Sequence, residues 1–187
     1  MDKLRKAATI YNNLINKEIK IVIGRKGKKT DLYIDFSVED FYHLVGFHYL
    51  KDLRNIARMS SKIAFEKILN DEITISMLEK SKYFNQIEDR IECILLFSKV
   101  ATNVSSVYKF RRVEYSFSKI NWEYLITFPT EISNAYLFLR ELRKNPNHFI
   151  CVSTFENTGY ERNQIKYTLL EVYLIDENQE RLLYKYK

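Results

Sequence analysis

From the amino terminus, apolar positions recur first at helical and then at β spacing. Leu4, Ala7, Ala8, Tyr11, Leu14 and Ile15 fall three or four residues apart, which predicts a helix over Met1–Asn16. The β-branched run Ile19–Gly24, the turn Arg25-Lys26-Gly27-Lys28-Lys29 and the segment Asp31–Phe36 read as a β-hairpin with cations on its loop. Ser37 is suited to cap a helix whose first turn holds Glu39 and Asp40 and whose apolar face is Val38, Phe41, Leu44 and Val45. Gly46 supplies the stop. Further helices are expected over Ser61–Leu69 and Thr74–Lys80. The longest is expected over Lys82–Ala101, with Phe84, Ile87, Ile91, Ile94, Leu95 and Val100 facing inward.

Beyond these the pattern shortens. Val104–Arg111, Tyr124–Phe128, Tyr136–Leu142, Phe149–Phe155, Tyr167–Ile175 and Leu182–Tyr186 are aromatic and β-branched, separated by turns such as Asn145-Pro146-Asn147 and Asp176-Glu177-Asn178. They predict an antiparallel sheet or meander. The expected fold class is α+β over residues 1–187 as one domain: an N-terminal helix and hairpin, central helices, then a C-terminal sheet. There is no internal repeat, low-complexity tract or Pro/Gly-rich linker.

Composition narrows the chemistry. The 187 residues include fourteen Tyr and twelve Phe, too many rings to leave unpacked. A chain of this length buries roughly 70% of its unfolded surface without a metal or disulfide staple. The four glycines form neither a dinucleotide fingerprint nor a phosphate loop, which removes ordinary nucleotide enzymes. Cys93 and Cys151 are too few for a cysteine-rich zinc site and read as core residues. No H-E-x-x-H or G-x-S-x-G motif occurs, so no cofactor or metal is expected. Met1–Ile10 lacks an apolar signal core, and Ile91–Ala101 is too short to span a bilayer. The expectation is a soluble, cytoplasmic protein with no membrane partner. A net charge of +6 suits a polyanion, nucleic acid first.

The segment Phe41-Tyr42-His43-Leu44-Val45-Gly46-Phe47-His48-Tyr49-Leu50-Lys51-Asp52-Leu53 carries a sharper signal. It resembles the F-x-H-L-x-G-(L/F)-H-x-L-K-D signature of a nuclease family of phages and mobile elements. That family is the fourth phage class of the barnase–EndoU–colicin–RelE-like superfamily. The resemblance extends through ILNDEITISMLEKSK, Ile68–Lys82, through IEDRI, Ile87–Ile91, and through SKINWEYLI, Ser118–Ile126. It implies an RNase-like fold with a curved antiparallel sheet and metal-independent RNA cleavage by an effector, such as a toxin, of a phage or mobile element.

Such cleavage needs a base for the 2′-hydroxyl, an acid for the leaving 5′-oxygen, and cations for the phosphorane. His43 lies off the apolar face of its helix, and Glu39, one turn earlier, is placed to orient or charge the ring. His48 follows the helix stop and is a second proton-transfer group or a loop-holding hydrogen-bond partner. Lys51, Arg54 and Arg58 continue the series as phosphate contacts or as a solvated helix face. Ser153 and Thr154 are candidates from the sheet, their hydroxyls directed to opposite sides by strand alternation. The resemblance adds Tyr160, Arg162, Tyr167 and Thr168, because similar folds draw phosphate-binding groups from late strands. Tyr108-Lys109-Phe110-Arg111-Arg112 and Tyr184-Lys185-Tyr186-Lys187 interleave cations with rings and suit RNA, or reflect ordinary strand alternation. The hairpin loop is a further cationic patch. His148 is expected on a surface turn. RNA is therefore the expected partner, with a protein antidote or host target also compatible. The competing reading is an inactive binding or inhibitory module that occupies a protein or RNA surface.

Overall fold

The computed structural model describes residues 1–99, 104–111, 120–130, 133–157, 159–177 and 179–186. Helix α1 (Lys3–Asn12) leads into strands β1 (Glu18–Arg25) and β2 (Lys28–Asp35). Helices α2 (Val38–Val45), α3 (Arg54–Ala57), α4 (Ser61–Leu69), α5 (Ile75–Leu78) and α6 (Glu88–Leu95) follow. Strands β3 (Ser106–Lys109), β4 (Tyr124–Pro129), β5 (Asn134–Leu142), β6 (Asn145–Asn157), β7 (Ile165–Asp176) and β8 (Gln179–Lys185) complete an α+β fold.

The sheet is large, mixed and mostly antiparallel. Its order is β1-β2-β6-β5-β4-β3-β7-β8, and a further β1–β7 pairing closes the run from β1 to β7 into a ring, with β8 outside it on β7. The long β7 pairs with β3 through Ile165–Tyr167 and with β1 through Thr168–Ile175. The hairpin is therefore part of the sheet, through β7 on one side and β6 on the other. The β2–β6 junction is parallel, where an antiparallel sheet was expected, and it is short: Tyr33, Ile34 and Asp35 pair with His148, Phe149 and Ile150.

The main core joins the helices to one face of the sheet, with Leu4, Tyr11, Phe41, Leu44, Ile91 and Ile94 against Ile21, Ile34, Leu137 and Phe149. A smaller aromatic cluster of Trp122, Leu125, Tyr136 and Phe138 covers the other face of β4 and β5. Both faces of those strands are buried, which explains their continuous apolar runs.

Three expectations need correcting. The predicted Met1–Asn16 helix ends at Asn12, and its N-cap is Asp2, whose carboxylate accepts from Leu4 and Arg5 N–H. The predicted Lys82–Ala101 helix is broken into a short 3₁₀ turn at Phe84–Gln86, the two-turn α6, and another 3₁₀ turn at Leu96–Lys99. The break has a distant cause, because Asp52 accepts from Ser81 Oγ at 2.5 Å and Lys82 N–H at 2.9 Å, holding the entry in a turn. Val100 and Ala101 lie outside the described residues. Finally, His148 is a half-buried residue of β6, with its ring stacked on Tyr33 at 5.0 Å, and not a free turn residue.

Candidate functional site

Helix α2 is built by local rules. Ser37 Oγ accepts from Asp40 N–H and donates to the Asp40 carboxylate at 2.8 Å. At the other end Gly46 adopts φ 85° and ψ 30°, the left-handed conformation that reverses the chain. A Cβ there would lie 2.9 Å from the Tyr49 ring and 3.1 Å from Arg90 Cδ, so glycine is required by conformation and by space. The reversal is what makes the His-Leu-Val-Gly-Phe-His spacing productive: the rings of His43 and His48 come to 6.0 Å. Tyr42, on the buried side, donates to the Ala57 carbonyl at 2.7 Å and ties α3 to this corner.

The two histidines stand at a cleft of about 450 Å³ between α2, the turn after it, α6 and the sheet. Asp40, Tyr49 and Arg90 line the helical side; Arg140 and Ile150–Ser153 line the sheet side, with Ile120 and Asn121. Arg90 ties the two walls together. Its Nη1 donates to Ser153 Oγ at 3.1 Å, and its guanidinium lies 5.1 Å from the Tyr49 ring and 5.5 Å from the Phe155 ring. Burial lowers the Arg90 pKa.

Burial raises the Asp40 pKa, opposed by the Ser37 hydrogen bonds and the nearby His43. Asp40 is thus the carboxylate that lines the cleft near His43, while Glu39 is exposed. The His48 pKa is lowered, first by partial burial of its ring and then by the charges of His43 and Arg90. Neutral imidazole is favoured at that position.

A bulge in β6 sorts the adjacent hydroxyls. Phe138 pairs with Ser153 and Leu139 with Cys151, so Val152 is the extra residue. Ser153 turns to Arg90. Thr154 is fully buried and donates to the Tyr136 carbonyl at 2.9 Å, on the side where Cys93 lies. Burial pushes the Cys93 thiol up to about 12.

Of the residues singled out in the sequence, His43, His48 and Ser153 meet at the cleft. Lys51, Arg54 and Arg58 are exposed along the chain beyond it, and Thr154 packs elsewhere. Tyr160 belongs to the aromatic cluster, 5.5 Å from Phe155, and Arg162 is exposed beside Gly159. Lys109 lies 5.5 Å from the Tyr124 ring, on the far side of the sheet from the smaller cluster. Tyr167 packs on the main core, 6.0 Å from the Arg25 guanidinium, and Thr168 is exposed. Arg111 is exposed, its N–H donating to Gln164 Oε1, while Arg112 lies outside the described residues. Asp40, Tyr49, Arg90 and Arg140 were passed over. The one sequence signal for Arg90 was its place in the IEDRI segment, a cation among inward-facing isoleucines.

The fold agrees with the comparison of the chain with protein families. Residues 3–187 match the model of the phage-Barnase-EndoU-ColicinE5/D-RelE like nuclease 4 family, and the chain belongs to that family, a family of predicted nucleases. No curated protein and no solved structure matches it. Among the described residues, no helix is long and apolar enough to cross a membrane.

Proposed function

We propose that the protein is an endoribonuclease that cuts RNA by attack of the 2′-hydroxyl on the adjacent phosphate, without a metal ion in the reaction. The observation that carries this reading is the meeting of His43 and His48 with the Ser153-held Arg90 in one cleft. His48, biased toward the neutral form, takes the proton of the 2′-hydroxyl. The 2′-oxygen bonds to phosphorus, and the bond from phosphorus to the 5′-oxygen breaks. His43 donates a proton to that leaving oxygen, so the products are a 2′,3′-cyclic phosphate and a free 5′-hydroxyl.

Arg90 faces the charge that builds on the phosphorane, and Ser153 positions the guanidinium. Arg140 supports a flanking phosphate from β5. Beyond the cleft, Lys51, Arg54, Arg58, Lys109, Arg111 and Arg162 supply sequence-independent attraction for the RNA backbone, and Arg112 adds to the same charge. Thr154 supports the β6 wall from behind. In this reading the protein is a cytoplasmic effector of a phage or mobile element, and a protein antidote would cover the cleft.

The test is incubation of purified protein with mixed RNA in EDTA, with folding checked by circular dichroism. Cleavage to cyclic-phosphate ends, abolished in His43→Ala and in His48→Ala, is the expected result. Intact RNA with folded wild-type protein overturns the catalytic reading. Tight RNA or protein binding that survives both substitutions would instead establish a binding module.

A further inference from the structure

A second cluster of chemistry-bearing side chains lies where β1, β2 and β6 meet. Glu18 and Asp35 are cross-strand partners in the hairpin. His148 enters from β6, opposite Tyr33 in the parallel junction. Its Nδ1 is 3.2 Å from Asp35 Oδ2 and 3.3 Å from Glu18 Oε2. Among the described residues, no lysine or arginine forms an ion pair with either carboxylate. Glu18 Oε2 is itself buried and makes no hydrogen bond, with the His148 imidazole nitrogen beside it at 3.3 Å. A buried carboxylate oxygen in that condition is costly unless something electropositive reaches it.

We propose that Glu18, Asp35 and His148 form a structural site for a divalent transition-metal ion of the zinc class. One imidazole nitrogen and two carboxylate oxygens are a suitable donor set for such an ion. Bonds of about 2.0–2.1 Å in tetrahedral geometry place donor atoms roughly 3.3 Å apart. The 3.2 and 3.3 Å separations have that span, and all three donor atoms lie within 4.8 Å of one another. Sheet hydrogen bonding sets the positions of all three residues, and the Tyr33 ring fixes the imidazole plane at an interplanar angle of 14°. Each side chain is 32% exposed, so an ion can enter from solvent and keep water as a fourth ligand. The ion would clip the hairpin to β6 at the sheet's three-pair parallel junction. This proposal does not depend on the ribonuclease reading.

The experiment uses the full chain, stripped with EDTA and titrated with Zn²⁺ by calorimetry and with Co²⁺ by visible absorption. The expected result is one saturable equivalent, a Co²⁺ d–d band, and a rise in Tm that EDTA reverses. Glu18→Gln and His148→Ala should each weaken binding at least about tenfold. The His43→Ala/His48→Ala double variant should bind as the wild type does. Absence of the band and of heat up to about 1 mM metal overturns the proposal whatever the variants do. Binding that disappears in the double variant, or persists unchanged in Glu18→Gln and His148→Ala, assigns the metal elsewhere and overturns it as well.

Discussion

His48 shares a cleft with β6 and His148 belongs to β6, yet the two stand in surroundings of opposite sign. His48 faces another imidazole and the Arg90 guanidinium. His148 faces two carboxylates. The first setting repels a proton and suits a base that must accept one only when substrate offers it. The second sets two carboxylate oxygens within 3.3 Å of an imidazole nitrogen, the arrangement on which the proposed metal site rests. One residue type thus acquires two characters from its neighbours, and sequence spacing alone distinguishes neither.

The comparison can be broken most severely at Arg90. Arg90→Ala removes the cation from the cleft while leaving both histidines in place. RNA cleavage should fall by about 10²–10³-fold, measured as initial rates on a defined oligonucleotide. An unchanged rate would remove Arg90 from the mechanism. Gly46→Ala follows: a Cβ at positive φ, crowded against Tyr49 and Arg90, should cost about 1–2 kcal/mol and also slow cleavage. Denaturant melts and rates together test that expectation, and a silent substitution would contradict the close packing.

A smaller effect should appear in pH profiles. Because the folded His48 pKa lies below its ordinary value, the unfolded chain holds a proton that the folded chain lacks between those two pH values. Stability from this group is complete above the ordinary imidazole range. It is lost as pH falls through that range and levels off below the folded value. His48→Gln should flatten this part of the profile, compared by urea unfolding between about pH 5 and about pH 7.5. The acidic limb of cleavage should likewise lie below the ordinary imidazole range and move upward in Arg90→Gln; His148→Gln should leave it in place.

The smallest predicted effect separates neighbouring hydroxyls. Thr154→Val forfeits the hydrogen bond to the Tyr136 carbonyl, at about 1 kcal/mol, and should leave the cleavage rate unchanged. Ser153→Ala should do the reverse, lowering the rate about tenfold through a loosened Arg90 with little change in Tm. Equal effects on rate would deny the division made by the bulge.

Features governed by neighbours in sequence were legible. Ser37 and Gly46 mark the ends of α2 because caps act within a few residues, and the hairpin follows from two β-branched runs around a glycine turn. The nearness of His43 and His48 was legible for the same reason. Arg90 was not, since Ser153 lies 63 residues away. The break before α6 depends on Asp52, 29 residues upstream of Ser81. Strand alternation predicts only that Ser153 and Thr154 point to opposite sides. Which of them faces the cleft depends on the bulge at Val152, and that is settled only when β5 and β6 pair.

The β1–β7 pairing has a consequence for how the molecule is made. Glu18 pairs with Ile175, so a strand synthesised near the start waits for one synthesised near the end. Contacts of such long sequence separation carry a loop-closure cost and slow folding. Arg90 likewise gains its Ser153 partner only after the 63 residues that follow it have been translated. A nascent chain on the ribosome, surrounded by RNA, therefore carries both histidines long before it carries an assembled cleft.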